Sequence, residues 1–242
     1  MKTVKALGGV ILAVCFTLSA MAETDSSLIC YYHFDEGKGD IARDSSPNGF
    51  DGKVVNGYWE KGKVGLALEF NGVDTDVYVT PIPEILNEAK EITVMAWIKT
   101  ESPKQQMIIT KQLSGRGFTG WTLWIGCYNT HKGKLFFHCR DSDINSDCIV
   151  DNGKWHFVAV TAKCGGEGKV FVDGELKKSG PIKDDTWEND LPAFHIGSYY
   201  GQKCFEGMMD EVRIYKRVLS DAEVKSVYEK DCAASDKKME KR

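Results

Sequence analysis

Beyond its first twenty or so residues the chain has no long apolar run, which excludes a bundle of membrane-spanning helices. Basic residues are not in excess: Lys and Arg number 31 against 35 Asp and Glu, a net charge of −4. Nucleic acids and anionic membrane surfaces select for basic patches, so neither is an expected partner. No Cys-x-x-Cys occurs, so zinc-ribbon and thioredoxin-type sites are not indicated. A G-x-S-x-G elbow, an H-E-x-x-H pair and a G-x-x-x-x-G-K-[ST] loop are missing too, which leaves the matching hydrolase, zinc-protease and P-loop chemistries without a motif.

What is present starts with an export signal. Lys2 and Lys5 precede an apolar stretch from Ala6 to Ala20, and Ala20-Met21-Ala22 fits a small-x-small cleavage site with Glu23 as the mature start. Leu12-Ala13-Val14-Cys15 looks like a lipobox, but Val14 is too large for its position and the apolar run continues past it. Cleavage at Ala22 would leave 29 basic and 35 acidic residues, a net charge of −6. The expected location is outside the cell, in a periplasm or at the cell surface, with no membrane insertion after cleavage. Seven cysteines would remain, and an oxidising compartment would allow up to three disulfides and one odd thiol. Sequence does not fix the pairing. Cys139 with Cys148 is the most local choice, and Cys30 with Cys232 would tie the two ends together.

The body reads as strands. Short β-rich runs at 28–34, 66–70, 77–80, 92–99, 121–127, 134–140, 155–162, 169–172, 193–196 and 210–215 are separated by Gly, Asn, Asp and Ser. That spacing points to an all-β sandwich. Asp173-Gly174 between two such runs signals a two-residue hairpin. One helix is expected near the C-terminus. Ser220-Asp221-Ala222-Glu223 is a capping box, Leu219 and Val224 can staple it, and Val224, Val227 and Tyr228 give it an apolar face. One domain is expected over 23–232, followed by a charged tail at 233–242 that frays. Gly115–Gly120 spells G-x-G-x-x-G, but a strand-like run follows it where a dinucleotide site needs a helix, so it reads as a loop.

Six blocks in order resemble one family. Tyr31-Tyr32-His33-Phe34-Asp35-Glu36-Gly37-Lys38-Gly39 is similar to the opening of laminin-G-like domains of the concanavalin A-like lectin/glucanase superfamily. Asp44-Ser45-Ser46-Pro47-Asn48-Gly49-Phe50-Asp51-Gly52, with Pro in place of the usual Gly, and Gly65-Leu66-Ala67-Leu68-Glu69-Phe70-Asn71-Gly72 continue the likeness. So do Thr93–Lys99, Gly153–Ala159 and the stretch Gly207–Ser220. The resemblance implies a jelly-roll sandwich of two antiparallel sheets, one of them concave. It implies no single function.

It also implies a structural Ca²⁺ near where the chain's ends meet. Calcium takes six to eight hard oxygens. Asp210 is the first choice, with Asp35 facing it and Gly72 offering a carbonyl. Asp44, Asn48 and Asp51 read better as turn residues. The family pattern puts Leu123 and Ile125 in the core, so alternation turns Trp124 to the opposite face. The same parity turns Phe136, His138 and Arg140 outward, and Tyr199 and Tyr200 could rim that surface. Glu211 and Arg213 read as an outward pair, and Trp97 and Trp155 as packing residues. Flat rings beside hydrogen-bonding groups suit a polysaccharide or glycan. A competing expectation is that the segment 141–150 covers this face.

The leading expectation is thus a secreted, non-catalytic carbohydrate-binding or adhesion module. A divergent glycoside hydrolase or lyase is the first alternative, although the E-x-D-x-x-E pattern of laminarinase-type glucanases, whose two carboxylates must sit together, is not found. A structural domain that binds another extracellular protein is the second.

Overall fold

The computed structural model describes residues 25–81, 84–113, 119–127, 131–183, 185–187 and 193–240. The export signal, most of the Gly115–Gly120 loop and part of the 184–190 segment lie outside these residues. In chain order the strands are β1 (Leu28–Tyr32), β2 (Ile41–Ala42), β3 (Gly52–Val55), β4 (Tyr58–Lys61), β5 (Leu66–Asn71) and β6 (Asp76–Val79). A short helix, α1 (Glu84–Asn87), leads to β7 (Glu91–Lys99), β8 (Gln106–Leu113), β9 (Thr119–Cys127), β10 (His131–Cys139) and β11 (Ser142–Ile149). Then come β12 (His156–Lys163), β13 (Glu167–Val172), β14 (Glu175–Pro181), β15 (Phe194–Ile196), β16 (Glu206–Tyr215) and α2 (Asp221–Glu240).

The strands form two antiparallel sheets of eight. The first runs β14-β13-β12-β7-β16-β5-β4, with β1 also paired to β16. The second runs β11-β10-β9-β8-β15-β6-β3-β2. Alternation sends Val77, Val79, Ile109, Leu123, Ile125, Leu135, Phe137, Phe194 and Ile196 from the second sheet into one core. They meet Leu68, Phe70, Val94, Ala96, Ile98, Val158, Val160, Val212 and Ile214 from the first. The expected jelly-roll sandwich is what the chain forms.

β7 is buried on both sides. Its even-numbered residues face the core, while Met95 and Trp97 face the other way, into a second apolar cluster with Phe157, Phe171, Leu219 and Val224. The lid on that cluster is α2. Its start is the expected capping box: Ser220 N donates to Glu223 Oε2 at 2.7 Å and Glu223 N donates to Ser220 Oγ at 3.3 Å. The hairpin at Asp173-Gly174 supports it from below. Both residues have positive φ, 53° and 77°, as a type I′ turn requires. A Cβ at Gly174 would sit 2.7 Å from the Tyr228 ring, so the helix lies directly against this turn.

Several expectations change. Glu211 and Arg213 are not an outward pair in solvent, being only 2% and 7% exposed: Tyr31 and His33 close on Glu211, and Asp231 of α2 closes on Arg213. Arg213 donates from Nη1 to Asp231 Oδ2 at 2.9 Å and from Nη2 to Asp231 Oδ1 at 2.8 Å, and Asp231 also accepts from Trp97 Nε1 at 3.0 Å. Trp97 therefore packs under the helix and not between the sheets. The helix continues through Glu240, past the expected boundary at 232, and Asp231 and Ser235 are buried on it. Cys30 and Cys232 are not bridged. Cys30 points into the main core and Cys232 packs on the cluster under α2, so the first sheet lies between them. Cys139 and Cys148 are not bridged either, because β10–β11 register pairs Cys139 with Ser142 and carries Cys148 towards the other end of the hairpin. The segment 141–150 is not a cover. Most of it is β11, the edge strand of the second sheet.

Candidate functional site

The outer face of the second sheet is built by strand pairing. Directly opposed residues share a face. Tyr78 opposes His195, His195 opposes Thr110, Thr110 opposes Thr122, Thr122 opposes His138 and His138 opposes Asp143. A neighbouring row joins Met107, Trp124 and Phe136. Asp76, two residues before Tyr78 on β6, is on the same side. Trp124 is on this face, as alternation requires, but it is only 6% exposed. It forms a small apolar cluster with Met107, Phe136 and Tyr199. Its ring stands 6.1 Å from Phe136 at 72° and 6.0 Å from His138, with the Lys203 ammonium 5.3 Å above it. Trp124 and Phe136 are thus a floor and not an exposed stacking platform.

The exposed ring is Tyr200, 39% accessible. It follows β15 with φ +50° and lies 4.4 Å from the His195 ring and 5.5 Å from Tyr199. Arg140 does not join the group by strand parity. It stands in the turn after β10, exposed, with its Nε 4.0 Å from Asp141 Oδ2.

Two His–Asp pairs mark the row. His138 Nδ1 is 2.5 Å from Asp143 Oδ1, and His195 Nδ1 is 2.7 Å from Asp76 Oδ2. Four buried polar atoms on this face have no hydrogen-bond partner: Asp76 Oδ1, Thr110 Oγ1, His195 Nε2 and the Tyr199 hydroxyl. Buried polar groups are nearly always satisfied, so four together need an explanation. Asp76, Tyr78, Thr110 and His195 were not singled out from sequence. The signal was available for two of them. His195 sits between apolar Phe194 and Ile196, and Tyr78 between Val77 and Val79, the alternation that turned Trp124 outward.

The expected metal residues do not all meet. Asp210 is not at the start of its strand but mid-way along β16, at a bulge where Glu211 has φ +54°. It is fully buried. Its Oδ2 accepts from Val64 N at 2.8 Å, and its Oδ1 has no partner. Burial, with Glu211 and Asp35 nearby, pushes its carboxyl up to about 8. Asp35 accepts from Leu66 N at 2.7 Å, so both carboxylates grip the same turn between β4 and β5. A buried carboxylate oxygen without a partner beside a second carboxylate fits a hard cation. Gly72 does not fit. It lies at the far end of β5, bonded to Phe205 O at 2.9 Å, and Glu206 beside it is about 13 Å along β16 from Asp210. Among the described residues no cluster of three or more His, Cys, Asp or Glu stands ready for a metal. Asp44, Asn48 and Asp51 serve the loop: Asp44 accepts from Tyr31 N at 2.8 Å and Phe50 N at 2.8 Å, Asp51 accepts from Asp44 N at 2.8 Å, and Asn48 donates to Ile29 O at 2.9 Å.

Comparison with known proteins adds the following. A family model described as the concanavalin A-like lectin/glucanases superfamily matches residues 71–225. Among curated protein sequences none matches. Among solved structures, the binding domain of Paraclostridial Mosquitocidal Protein 1 is similar with a TM-score of 0.67 at 16% identity, over 84% of this chain and 52% of that one. Domain 4 of AbnA, a GH43 extracellular arabinanase from Geobacillus stearothermophilus, in complex with arabinotriose, gives 0.66 at 19% identity, over 84% of this chain and 98% of that domain. A structure of botulinum neurotoxin type C, whose cell entry depends on interaction with two ganglioside molecules, gives 0.65 at 17% identity, over 88% of this chain and 53% of that one. The chain thus spans about half the length of the toxin chains it matches. At these identities the likeness concerns the fold.

Proposed function

The chain belongs to the concanavalin A-like lectin/glucanase superfamily, and on that premise we propose that it is a secreted, non-catalytic lectin-like module that binds a glycan on the outer face of its second sheet. One observation carries this reading: the exposed Tyr200 ring lies 4.4 Å from His195, in a row of polar side chains in which Asp76, Thr110, His195 and Tyr199 each keep a polar atom without a hydrogen-bond partner. Sugars present C–H faces to rings and hydroxyls to such atoms, and the loss of unsatisfied groups on binding favours the complex. Similar structures that carry arabinotriose or engage gangliosides support the class of ligand, and the likeness to the binding domain of Paraclostridial Mosquitocidal Protein 1 supports a role without catalysis.

Tyr200 supplies the stacking ring, Tyr199 and the His195–Asp76 pair supply hydrogen bonds, and Trp124 with Phe136 hold the floor. The test is a glycan array followed by calorimetry on the best hit. Tyr200→Ala should weaken binding about tenfold, the ~1.4 kcal/mol scale of a ring contact, with stability within about 0.5 kcal/mol of wild type. Undiminished binding by that variant would move the site elsewhere. Export by residues 1–22 is part of the proposal, and N-terminal sequencing of the secreted chain should begin at Glu23.

We also propose a Ca²⁺ at Asp210 and Asp35, where it would neutralise the buried carboxylates and fix the β4–β5 turn. Calcium at a hundred times its dissociation constant should stabilise the fold by about 2.7 kcal/mol, and chelator should remove that gain. An unchanged thermal midpoint would remove the ion.

A further inference from the structure

We infer that the proposed glycan site is a strip that runs from Tyr200 across Tyr78 and Lys53 to the β2 edge, and that it takes a polysaccharide chain of several sugar units, not a single sugar. The inference rests on the glycan-binding reading above and adds the form of the ligand. Strand register lays out the strip. Ile41 opposes Lys53, Lys53 opposes Tyr78 and Tyr78 opposes His195, so all four stand on the outer face of the second sheet. Three inter-strand steps make that row about 14 Å long. A single sugar ring is much shorter.

Exposure decides the direction. Towards β8, β9 and β10 the row is closed, because Thr110, Thr122 and His138 are buried. Towards β2 it opens. Tyr78 is half-buried, Ile41 is 37% exposed, and the side chains of Lys53 and its ion-pair partner Asp40 are 44% and 63% exposed. The Tyr78 hydroxyl has no hydrogen-bond partner among the described residues and, unlike that of Tyr199, it is not buried. The other end of the strip is fixed in advance. Tyr200 and Gly201, with φ +50° and +73°, form the two-residue turn of a small hairpin. Tyr199 N donates to Gln202 O at 2.8 Å and Gln202 N to Tyr199 O at 2.9 Å, and Met107 N donates to Lys203 O at 2.9 Å, which ties the hairpin to the sheet. A ring held in this way loses little freedom when a sugar arrives.

His195 links the two rings. Its centroid is 6.3 Å from Tyr78 and 4.4 Å from Tyr200, close enough for one chain to touch both tyrosines. Beyond Tyr78 the Lys53 ammonium donates to sugar hydroxyls and the Asp40 carboxylate accepts from them. A pocket that closes round one sugar gains nothing from the next unit. A strip gains with each unit until its length is filled.

The experiment measures the mature chain against arabinan, xylan, glucan, mannan and galactan fragments, each as a ladder from the single sugar to the pentasaccharide, with thermal melts as a control. A tetrasaccharide bound at least tenfold more tightly than its single sugar, with Tyr78→Ala removing most of that gain and leaving the single sugar as before, would support the inference. A single sugar bound as tightly as the rest of its ladder would overturn the strip and leave the lectin reading standing. A length gain that both Tyr78→Ala and Lys53→Ala leave intact would also overturn it, because the chain would then run elsewhere. Hits on the glycan array without binding to any ladder would again overturn the strip alone. No sugar bound on either by folded protein would overturn both readings. Should Tyr78→Ala not fold, Lys53→Ala at its half-exposed position decides: it should weaken the tetrasaccharide and not the single sugar.

Discussion

The two outward faces of this sandwich are made from the same kind of strand and finished in different ways. On the first sheet, α2 lies over Met95, Trp97, Phe157 and Phe171, and the charged group it covers is answered from both sides: Arg213 meets Glu211 on its own strand and Asp231 on the helix. On the second sheet no described helix packs over the row, and Asp76, Thr110, His195 and Tyr199 each retain an unanswered polar atom. A buried ion pair with every partner in place holds one element to another, whereas buried groups without partners cost stability and are kept where something else fills them. The contrast separates a face closed by the fold from the face proposed to bind.

The contrast can be broken at either face. The largest effect is expected at the first. Asp231→Ala leaves the Arg213 guanidinium buried with one of its two carboxylates gone, and urea unfolding should show a loss of about 3–5 kcal/mol. A loss below about 1 kcal/mol would mean that rings alone dock the helix. Next comes Trp124→Ala on the second face. Because Trp124 is floor, the change should cost about 3 kcal/mol of stability as well as weaken the proposed binding, and a variant with wild-type stability would show that the cluster beneath this face is loose. The smallest effect sharpens the comparison through pH. The Arg217 guanidinium, with the Ser220 amide and hydroxyl, holds Glu223 down at about 2. Its folded value is below the ordinary ~4.3, so the stability it gives is present above that value and is lost as pH falls from about 4 to about 2. Glu223 is half-exposed, and the contribution should stay under about 1 kcal/mol. Melting curves across that range should show a slope that Glu223→Gln flattens, while ligand binding at neutral pH stays unchanged.

The sandwich was legible because burial forces alternation. The runs at 92–99 and 121–127 carry β-branched and aromatic residues at the period of a strand, and a one-residue slip would have turned each inside out. The capping box and the Asp173-Gly174 turn were legible because they are local hydrogen-bond and backbone devices. Other parts were hidden for physical reasons. The segment β11 holds Asp143, Asn145, Ser146 and Asp147, polar enough to read as a loop, yet edge pairing to β10 makes it a strand. β8 went unseen although Met107-Ile108-Ile109 lies within it. The burial of Arg213 depends on a helix that folds back from later in the chain, and that of Glu211 on Tyr31 and His33 from its beginning. In the site, alternation put Trp124 on the correct face but could not show that neighbours would cover its ring. His195 and Asp76 come together from strands more than a hundred residues apart, and only the β15–β6 register brings them within reach.

The pairing of β1 with β16 has a practical consequence. Lys216 N donates to Ser27 O at 2.8 Å, and the Arg217 guanidinium reaches Asp25 at 2.6 Å, so the described chain enters the sandwich beside the point where it departs into α2. Both attachment points belong to the helix-bearing sheet. A linker, affinity tag or surface anchor joined at either end would hold the molecule by its back, leaving the opposite sheet turned towards whatever is offered to it. The fold can therefore be strung between other units, or fixed to a sensor chip, without obstructing the face proposed to receive a ligand.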